Sequence, residues 1–285
     1  MSRKLYIFLL TIILVLSVIL MGIIFIQKYD DNLYLSQIRN EYSHPVEITD
    51  VTNYFYFSGE QAKLYEVFIT LVQGQNQTSY LFNIPFDTYD EAAQFLSNLS
   101  HTKDFYFGGS FDSWIVGTGK YFAWVDLESA YTSYIENQLN LLRLQTISKE
   151  IITDDLTEAG ILIAINDYIV DSVEYNIVKT DLTSALDGYT RCTGYASLFK
   201  ALAELNGIRT DISLGIDNQT ETGHAWNKVY LYGGESYFDP TYNDSQNSVE
   251  YSFMKEEDMT DRTTLVSTTY LLRDGYTYLP STGTK

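Results

Sequence analysis

The sequence contains a single cysteine, Cys192, and only three histidines in 285 residues. One cysteine excludes a disulfide within the chain, so a domain of this size depends on its hydrophobic core for stability. Cysteines and histidines are also too few for a structural zinc site, and we expect no metal and no cofactor. Basic residues are scarce as well: 18 Lys and Arg stand against 37 Asp and Glu, a net charge of −19. Such a balance argues against a nucleic-acid partner.

The first residues lack acidic side chains and lead into a long uncharged run. Arg3 and Lys4 precede residues 5–26, which carry no charge. At about 1.5 Å per helical residue this run is long enough to cross a membrane. A cleaved signal peptide is the alternative, but its apolar part is usually shorter and ends in small residues, whereas this run ends in bulky ones. We expect residues 1–28 to form a cytoplasmic tip and an uncleaved transmembrane signal anchor, residues 29–53 a stalk, and the rest an extracellular domain.

Three residues with the chemistry of a thiol-dependent site lie in one later stretch. Cys192 is followed by His224, the last histidine of the chain, and then by Asp239. A thiol, an imidazole and a carboxylate are the components of a nucleophile, its base and the group that orients the base. We therefore take these three residues as the candidate catalytic set.

The pattern around Cys192 predicts a helix that begins at the thiol. Residues 193–205 have apolar side chains at helical spacing, which puts Cys192 at or just before the first turn. There the N–H groups and the helix dipole favour a thiolate and can stabilise an oxyanion. Arg191 adds a cation next to the thiol. Apolar residues alternate with other residues at positions 208–216, which predicts a strand.

A hairpin is predicted to carry the other two residues. His224 opens a strand at residues 225–232, and Gly233 with Gly234 predicts a two-residue turn. The returning strand ends at Asp239, so this carboxylate should lie beside the imidazole at the open end of the hairpin.

Three short motifs resemble the transglutaminase-like superfamily, whose fold is related to papain-like cysteine proteases. They are Cys192-Thr193-Gly194-Tyr195-Ala196, His224-Ala225-Trp226-Asn227 and Asp239-Pro240-Thr241. The resemblance implies an α+β fold with a papain-like transglutaminase core, the nucleophile Cys192 on a helix N-terminus, and the base His224 and the orienting acid Asp239 on antiparallel strands. The chain departs from the family at Thr190, where glycine is frequent, and at Asn166, where histidine is frequent.

A smaller α+β region, residues 54–150, precedes the core at residues 151–285, which includes a C-terminal extension. Capping patterns at Ser58 and Thr88 predict two helices, and a longer helix is expected at residues 129–144. Strands are predicted at residues 79–86, 104–107, 114–116 and 120–125.

Two aromatic clusters and two isolated histidines are interpreted as packing features. Residues 54–57 and 105–107 predict buried strands, with a carbohydrate platform as the alternative. His44 and His101 stand alone, and we interpret each as an ordinary surface or packing residue.

Two classes of function fit this sequence. The first is an extracellular enzyme in which Cys192 attacks protein or peptide amides, His224 moves the proton and Asp239 holds the imidazole. Release of the acyl group to an amine gives transglutaminase-like cross-linking, and release to water gives peptidase or deamidase activity; the residues leave these outcomes open. The second is a catalytically silent transglutaminase-like binding module at the cell surface.

Near the end of the chain, Leu279-Pro280-Ser281-Thr282-Gly283 has the form of the sortase recognition motif of Gram-positive cell-wall proteins. A sorting signal also needs an apolar segment and basic residues after the motif. We therefore interpret the motif as a chance match or a relic.

The anchor predicts a defined topology. Residues 29–285 should be degraded by protease added to intact cells, because Arg3 and Lys4 hold the N-terminus in the cytoplasm, and the protein should sediment with membranes. Release into the medium of a form that starts near residue 30 would instead show a cleaved signal peptide.

Overall fold

The computed structural model describes residues 51–74, 81–117 and 119–272, with a few isolated helical positions before residue 38. Within these residues, no helix combines the length and the apolarity needed to span a membrane. The predicted anchor, His44 and the sortase-like motif lie outside the described ranges. The described part forms three sheets with helices packed on them.

The N-terminal region is built on a three-stranded antiparallel sheet with the strand order β1-β3-β2. Its elements in chain order are helix α1 (Gly59–Gln73), strand β1 (Leu81–Phe86), helix α2 (Tyr89–Leu99), strand β2 (Ser113–Gly117), strand β3 (Tyr121–Asp126) and helix α3 (Leu127–Ile151). Aromatic rings from the helices and from the loop after α2 fill its core. The most deeply buried are Phe68, Phe95 and Phe105.

The two predicted helix starts are built differently. Thr88 caps α2 in a full capping box: its hydroxyl accepts from the Glu91 N–H at 3.2 Å, and the Glu91 carboxylate accepts from the Thr88 N–H at 3.3 Å. Helix α1 begins after Ser58 as predicted, but the Ser58 hydroxyl makes no capping bond. Gly59 has a left-handed φ of 60°, so the geometry that brings an N-cap hydroxyl to the first-turn amides is lost.

The strand predicted at residues 104–107 is wrong, although the burial predicted for its aromatic rings is confirmed. Residues 54–57 form no strand either, and the burial predicted for them is wrong, since Tyr56 is 68% exposed. The segment at residues 104–107 is a series of turns. Its backbone groups bond to a helix side chain instead of a neighbouring strand. Asn137 of α3 accepts from the Phe107 N–H at 2.7 Å and donates to the Lys103 carbonyl at 3.1 Å. A buried amide thus satisfies the backbone where a strand partner was expected.

The C-terminal core packs helices against a four-stranded antiparallel sheet with the order β8-β7-β6-β9. Its elements are helix α4 (Glu158–Ser172), strand β4 (Glu174–Tyr175), helix α5 (Leu182–Leu186), strand β5 (Tyr189–Thr190), helix α6 (Cys192–Leu205), strand β6 (Thr210–Asp217), strand β7 (Thr222–Leu231), strand β8 (Gly234–Phe238), helix α7 (Pro240–Gln246), a 3-10 turn (Glu256–Asp258) and strand β9 (Arg262–Thr268). The predicted α+β class is confirmed.

Helix α6 is the centre of this core. Every residue from Cys192 to Glu204 is buried, because the helix contacts β6 and β7 of the sheet as well as α4 and α5. The helix ends as predicted. Gly207 has a φ of 80° just after the last turn, and its N–H bonds to the Glu204 carbonyl at 3.0 Å, an arrangement that favours glycine.

The hairpin formed by β7 and β8 is displaced by one residue from its predicted turn. Leu231 pairs with Gly234, so the two-residue turn is Tyr232-Gly233 rather than Gly233-Gly234. Gly234 itself opens β8 with a φ of 137°, a conformation that favours glycine. Both glycines fit a hairpin turn, and only the cross-strand register decides which of them lies in it.

A buried ion pair joins the two regions of the protein. Lys200 and Glu204, one turn apart on α6, form a salt bridge between side chains that are almost fully buried. Glu204 also accepts hydrogen bonds from the Asn53 amide at 2.8 Å and the Tyr106 hydroxyl at 3.1 Å, while Lys200 donates to the Thr210 carbonyl. Burial raises the pKa of Glu204 to about 7 in spite of the adjacent ammonium. One carboxylate therefore ties α6 to the chain before α1 and to the loop after α2.

Removing one member of this pair should cost far more than removing both charges. We expect Lys200→Met to lower the free energy of unfolding by roughly 3–5 kcal/mol, because it leaves Glu204 buried without its cation. Combining it with Glu204→Gln should recover a large part of that loss, since the amide oxygen can still accept from Asn53 and the amide NH2 can donate to the Tyr106 hydroxyl. Urea unfolding at a pH above the Glu204 pKa measures both variants. A double variant as unstable as the sum of the single variants would contradict the role of charge pairing.

Candidate active site

Cys192 is the first residue of α6, and Arg191 is the N-cap. The helix begins here because Arg191 is extended (φ −97°, ψ −175°) and its carbonyl accepts the first helical bonds, from the N–H groups of Gly194 and Tyr195. The Arg191 side chain makes no capping bond, and first-turn N–H groups have no partner within a helix. The thiol is 7% exposed. It lies in a small apolar cluster with Ala196, Ile212, Leu214, Ala225 and Leu272.

Packing explains the threonine that stands where the family often has glycine. Thr190 is fully buried, and its side chain lies over Gly194, where an added Cβ would fall 2.0 Å from the threonine Oγ1. Close packing therefore requires glycine at position 194, and Thr190 fills the space above it. The Thr190 hydroxyl donates to the Lys179 carbonyl at 3.2 Å, which anchors the turn before the thiol to the preceding loop.

His224 on β7 and Asp239 directly after β8 meet as the hairpin predicted. His224 Nε2 lies 2.7 Å from Asp239 Oδ2, and both side chains are buried. The other carboxylate oxygen, Oδ1, accepts from the Tyr242 N–H at 3.1 Å, so Asp239 is also the N-cap of α7. Because Nε2 faces the carboxylate, Nδ1 is the ring nitrogen that remains for Cys192.

The electrostatics of this pair favour the imidazolium with the carboxylate. Burial alone would lower the pKa of His224. The charge and hydrogen bond of Asp239 and a hydrogen bond with Cys192 outweigh burial and raise this pKa to about 10. Burial likewise opposes ionisation of Asp239, yet the charges of His224 and Arg262 hold the pKa of that carboxyl below its usual value. His224 therefore interacts with both of the other residues: it bonds to Asp239, and Cys192 contributes to its raised pKa.

Arg262 is a member of the site that the sequence analysis missed. Its Nη1 donates to Asp239 Oδ2, the oxygen that also faces His224, and its side chain is 1% exposed. Two further bonds of 2.8 Å hold the guanidinium to the Asp261 carboxylate. Arg262 lies on β9, beyond all three motifs, so no local pattern marked it. One signal points to such a residue: a buried carboxylate needs cations that balance its charge. The sequence does not show that Asp239 is buried, so this signal appears only in the structure.

Aromatic rings enclose the imidazole. The Tyr242 ring stacks on His224 with centroids 4.7 Å apart and planes at 20°, and the Trp226 ring lies 5.8 Å away. The Arg262 guanidinium lies 4.8 Å from the centre of the Tyr242 ring, close enough for a cation–π contact. These contacts fix the plane of the imidazole and keep water from it.

Asparagines hold the strands and helices of the site in place. Asn227, three residues after His224, donates to the Ala196 carbonyl at 2.9 Å and so fixes β7 against α6. Asn166 of α4, the residue that replaces the frequent family histidine, accepts from Asn243 of α7 at 2.8 Å. Asn166 therefore anchors the helix whose N-cap is the carboxylate of the site.

His101, the other described histidine, is a packing residue as predicted. Its ring stacks on Tyr270 with a centroid distance of 3.9 Å. Among the described residues, no three His, Cys, Asp or Glu side chains are grouped as a metal site would need.

A thiol at a helix start, a histidine on an antiparallel strand and an aspartate directly after the neighbouring strand are the arrangement found in papain-like folds. Residues 145–240 match the sequence profile of the transglutaminase-like superfamily. This part of the chain resembles that superfamily, and the α+β fold with a transglutaminase-like core that the three motifs implied is confirmed. The match includes Cys192, His224 and Asp239 and ends before Arg262.

Several solved structures are distantly similar. A candidate cysteine protease from Cytophaga hutchinsonii has 12% identity and a TM-score of 0.32, with 68% of this chain and 78% of that chain covered. A crystal structure of a TGase has 12% identity and a TM-score of 0.35 over 63% and 58% of the two chains. LapG of Legionella pneumophila, treated with EGTA, has 11% identity and a TM-score of 0.32 over 47% and 86%. At these TM-scores the similarities carry no functional argument. No curated protein matches the chain.

The contact between Arg262 and Asp239 predicts a pH-dependent loss of stability. Arg262→Met should lower the free energy of unfolding by roughly 3–5 kcal/mol at neutral pH, because it leaves a buried carboxylate with one cation fewer. Arg262→Lys should lose less, since it keeps the charge. The matched control is Arg209→Met, because Arg209 also lies over a ring, that of Tyr230 at 4.3 Å, but is exposed.

The sign of the pH dependence follows from Asp239. Its folded-state pKa is lowered, so the stability that it contributes is present above the unfolded pKa of about 4 and is lost as the pH falls through the folded value. The difference between the wild type and Arg262→Met should therefore shrink in acid, as measured by urea unfolding across pH. If the difference in unfolding free energy stays constant down to low pH, Arg262 stabilises the protein by packing and not by its charge.

Proposed function

We propose that the protein is a cysteine-dependent acyltransferase that acts on protein or peptide amides outside the cell. The observation that carries this proposal is the contact of His224 Nε2 with Asp239 Oδ2 at 2.7 Å, together with the effect of Cys192 on the pKa of the same imidazole. The thiol stands at a helix N-terminus, and the base is held by a fully buried carboxylate. Nucleophilic catalysis at a carbonyl needs a nucleophile, a base beside it and a group that orients the base.

Each group has one task in the proposed reaction. Cys192 Sγ attacks the amide carbon, a carbon–sulfur bond forms, and the substrate oxygen takes the negative charge beside the first-turn N–H groups of α6. The His224 imidazolium gives its proton to the amide nitrogen, the carbon–nitrogen bond breaks, and ammonia or an amine leaves. Water or a second amine then attacks the thioester, loses a proton to His224 and releases the sulfur as the thiolate. Water as acceptor gives peptidase or deamidase activity, and an amine gives cross-linking.

The raised pKa of His224 suits the role of a general acid. At neutral pH a group with a pKa of about 10 is protonated, so the proton for the leaving amine is already in place. Asp239 orients this imidazolium through Nε2, and Arg262 keeps Asp239 ionised. Steps that need this proton should slow only as the pH rises through about 10.

A catalytically silent binding module is the second candidate. The low exposure of the nucleophile favours it, since Cys192 is 7% exposed and lies in an apolar cluster with Leu272. An acyl donor reaches the sulfur only if neighbouring side chains move aside, and a binding module needs no such movement.

The proposed location depends on the sequence pattern. Residues 5–26 are uncharged and follow Arg3 and Lys4, which supports a single-pass anchor with the catalytic region outside the cell. Protein and peptide substrates at the cell surface are the partners that this topology provides.

Thiol alkylation separates the two candidate functions. With iodoacetamide at neutral pH, the wild type should react at least about tenfold faster than His224→Ala, because the imidazolium stabilises the attacking thiolate. His101→Ala is the matched control and should react like the wild type, since that ring stacks on Tyr270. Circular dichroism checks that each variant is folded.

Equal alkylation rates in all three proteins would show that Cys192 and His224 are no catalytic pair, and the binding module would then be the supported function.

Asp239→Asn gives a second readout. It keeps a hydrogen bond but removes the charge, so NMR should show the His224 titration move down from about pH 10 toward its ordinary value.

A further inference from the structure

The segment between α4 and the nucleophile carries an exposed apolar surface, which we call the apolar loop. It consists of Tyr175, Ile177, Val178 and Tyr189, which are 51%, 74%, 76% and 37% exposed. These are four of the seven exposed large hydrophobic side chains that the structure describes between residues 151 and 272. Such a concentration beside a reactive group is typical of a binding surface.

Hydrogen bonds fix the apolar loop to the residues around Cys192. Strands β4 and β5 pair in parallel and carry the two tyrosines. On the returning side, the Lys179 carbonyl accepts from the Arg191 N–H at 3.0 Å, and the Thr180 carbonyl accepts from the Thr193 hydroxyl at 2.8 Å. The position of the loop tip relative to the sulfur is therefore set by the residues on either side of the nucleophile.

Tyr175 connects the apolar loop to the helix that carries the nucleophile. Burial and the nearby Cys192 sulfur raise the pKa of Tyr175, and Arg191 opposes them. The Tyr175 ring packs 6.4 Å from that of Tyr195, which follows Cys192 in the first turn of α6.

Two cations border the apolar loop. Lys179 follows the tip and is exposed, Arg191 precedes the thiol, and neither forms a salt bridge with any described residue. The Arg191 Nε is buried without a hydrogen-bond partner. Among the acids of the segment, Asp187 pairs with Arg143 and Asp181 caps α5, while Glu174 lies at the base of the loop. The two cations are thus available to an acidic ligand.

We propose that the apolar loop docks the acyl donor, an extended polypeptide with an aliphatic or aromatic residue on Ile177 and Val178 and an acidic residue near Lys179 and Arg191. This inference depends on the proposed acyl-transfer function and names its substrate class. A polypeptide is the occupant because the loop adjoins the sulfur that a substrate carbonyl must reach. A membrane or a second copy of the chain on the same surface would cover the nucleophile.

Peptide binding to the full-length Cys192→Ala protein tests docking without turnover. The probes are fluorescein-labelled peptides with one glutamine followed by Leu-Asp, Ser-Asp or Leu-Lys. The Leu-Asp peptide should bind about tenfold more tightly than the Ser-Asp peptide, because it alone places an aliphatic side chain on the loop. It should also bind more tightly than the Leu-Lys peptide, by a margin that added salt reduces.

Substitutions in the loop should remove this preference. Ile177→Asp with Val178→Asp should abolish the discrimination between the Leu-Asp and Ser-Asp peptides. The matched control is Leu139→Asp with Leu142→Asp, since these side chains on α3 are 56% and 60% exposed. In the protein that keeps Cys192, the loop substitutions should raise KM for the Leu-Asp peptide about tenfold.

Equal binding of the three peptides, or unchanged discrimination in the loop variant, overturns the docking proposal. So does a dimer or an attachment to lipid vesicles that the loop substitutions abolish while peptide binding stays the same. The outcome is distinct from that for acyl transfer. If alkylation of Cys192 does not depend on His224, the proposed chemistry fails, and peptide discrimination by the Cys192→Ala protein still decides whether the loop binds a polypeptide.

Discussion

The core is arranged around one carboxylate that is fully removed from water. An ionised carboxylate in a protein interior is strongly destabilising unless it is both paired and hydrogen-bonded. Asp239 meets this requirement with His224, with Arg262 and with the Tyr242 N–H. These partners lie on β7, β9 and α7, and Asp239 itself directly follows β8. The relative positions of four elements are therefore constrained by the needs of a single side chain.

The same carboxylate links stability to the proposed chemistry. Arg262 and His224 share one oxygen of Asp239, so the guanidinium keeps the carboxylate ionised and at the same time competes for its charge. The pKa of His224 nevertheless stays raised, at about 10. A cation that stabilises the buried carboxylate thus also influences how strongly the neighbouring imidazole holds its proton. Arg262 therefore affects the proton affinity of the base His224 through Asp239, although it does not contact the sulfur.

The local parts of the site could be predicted from the sequence, and the long-range parts could not. The spacing of apolar residues after Cys192 predicts the helix, and a short hairpin brings His224 to Asp239. Arg262 reaches the site because β9 pairs with β6, and no local pattern encodes the pairing of distant strands. The wrong strand at residues 104–107 has a similar cause, since its backbone partner Asn137 is 30 residues away from Phe107. Secondary-structure propensity did not predict the contacts that depend on tertiary packing.

The N-terminal region holds the C-terminal end of α6, the helix that begins at Cys192. Helix α3 crosses the predicted boundary at residue 150, and it contributes Ala130 to the N-terminal hydrophobic cluster and Leu144 to the core cluster. Hydrogen bonds from the N-terminal side end on Glu204, which lies about 18 Å along α6 from Cys192 at 1.5 Å per residue. A packed helix transmits displacement along its axis, so a shift at Glu204 also moves the thiol relative to His224. Because a buried ion pair adds little net stability, we infer that the charge pair on α6 serves mainly to set the position of this helix against the N-terminal region.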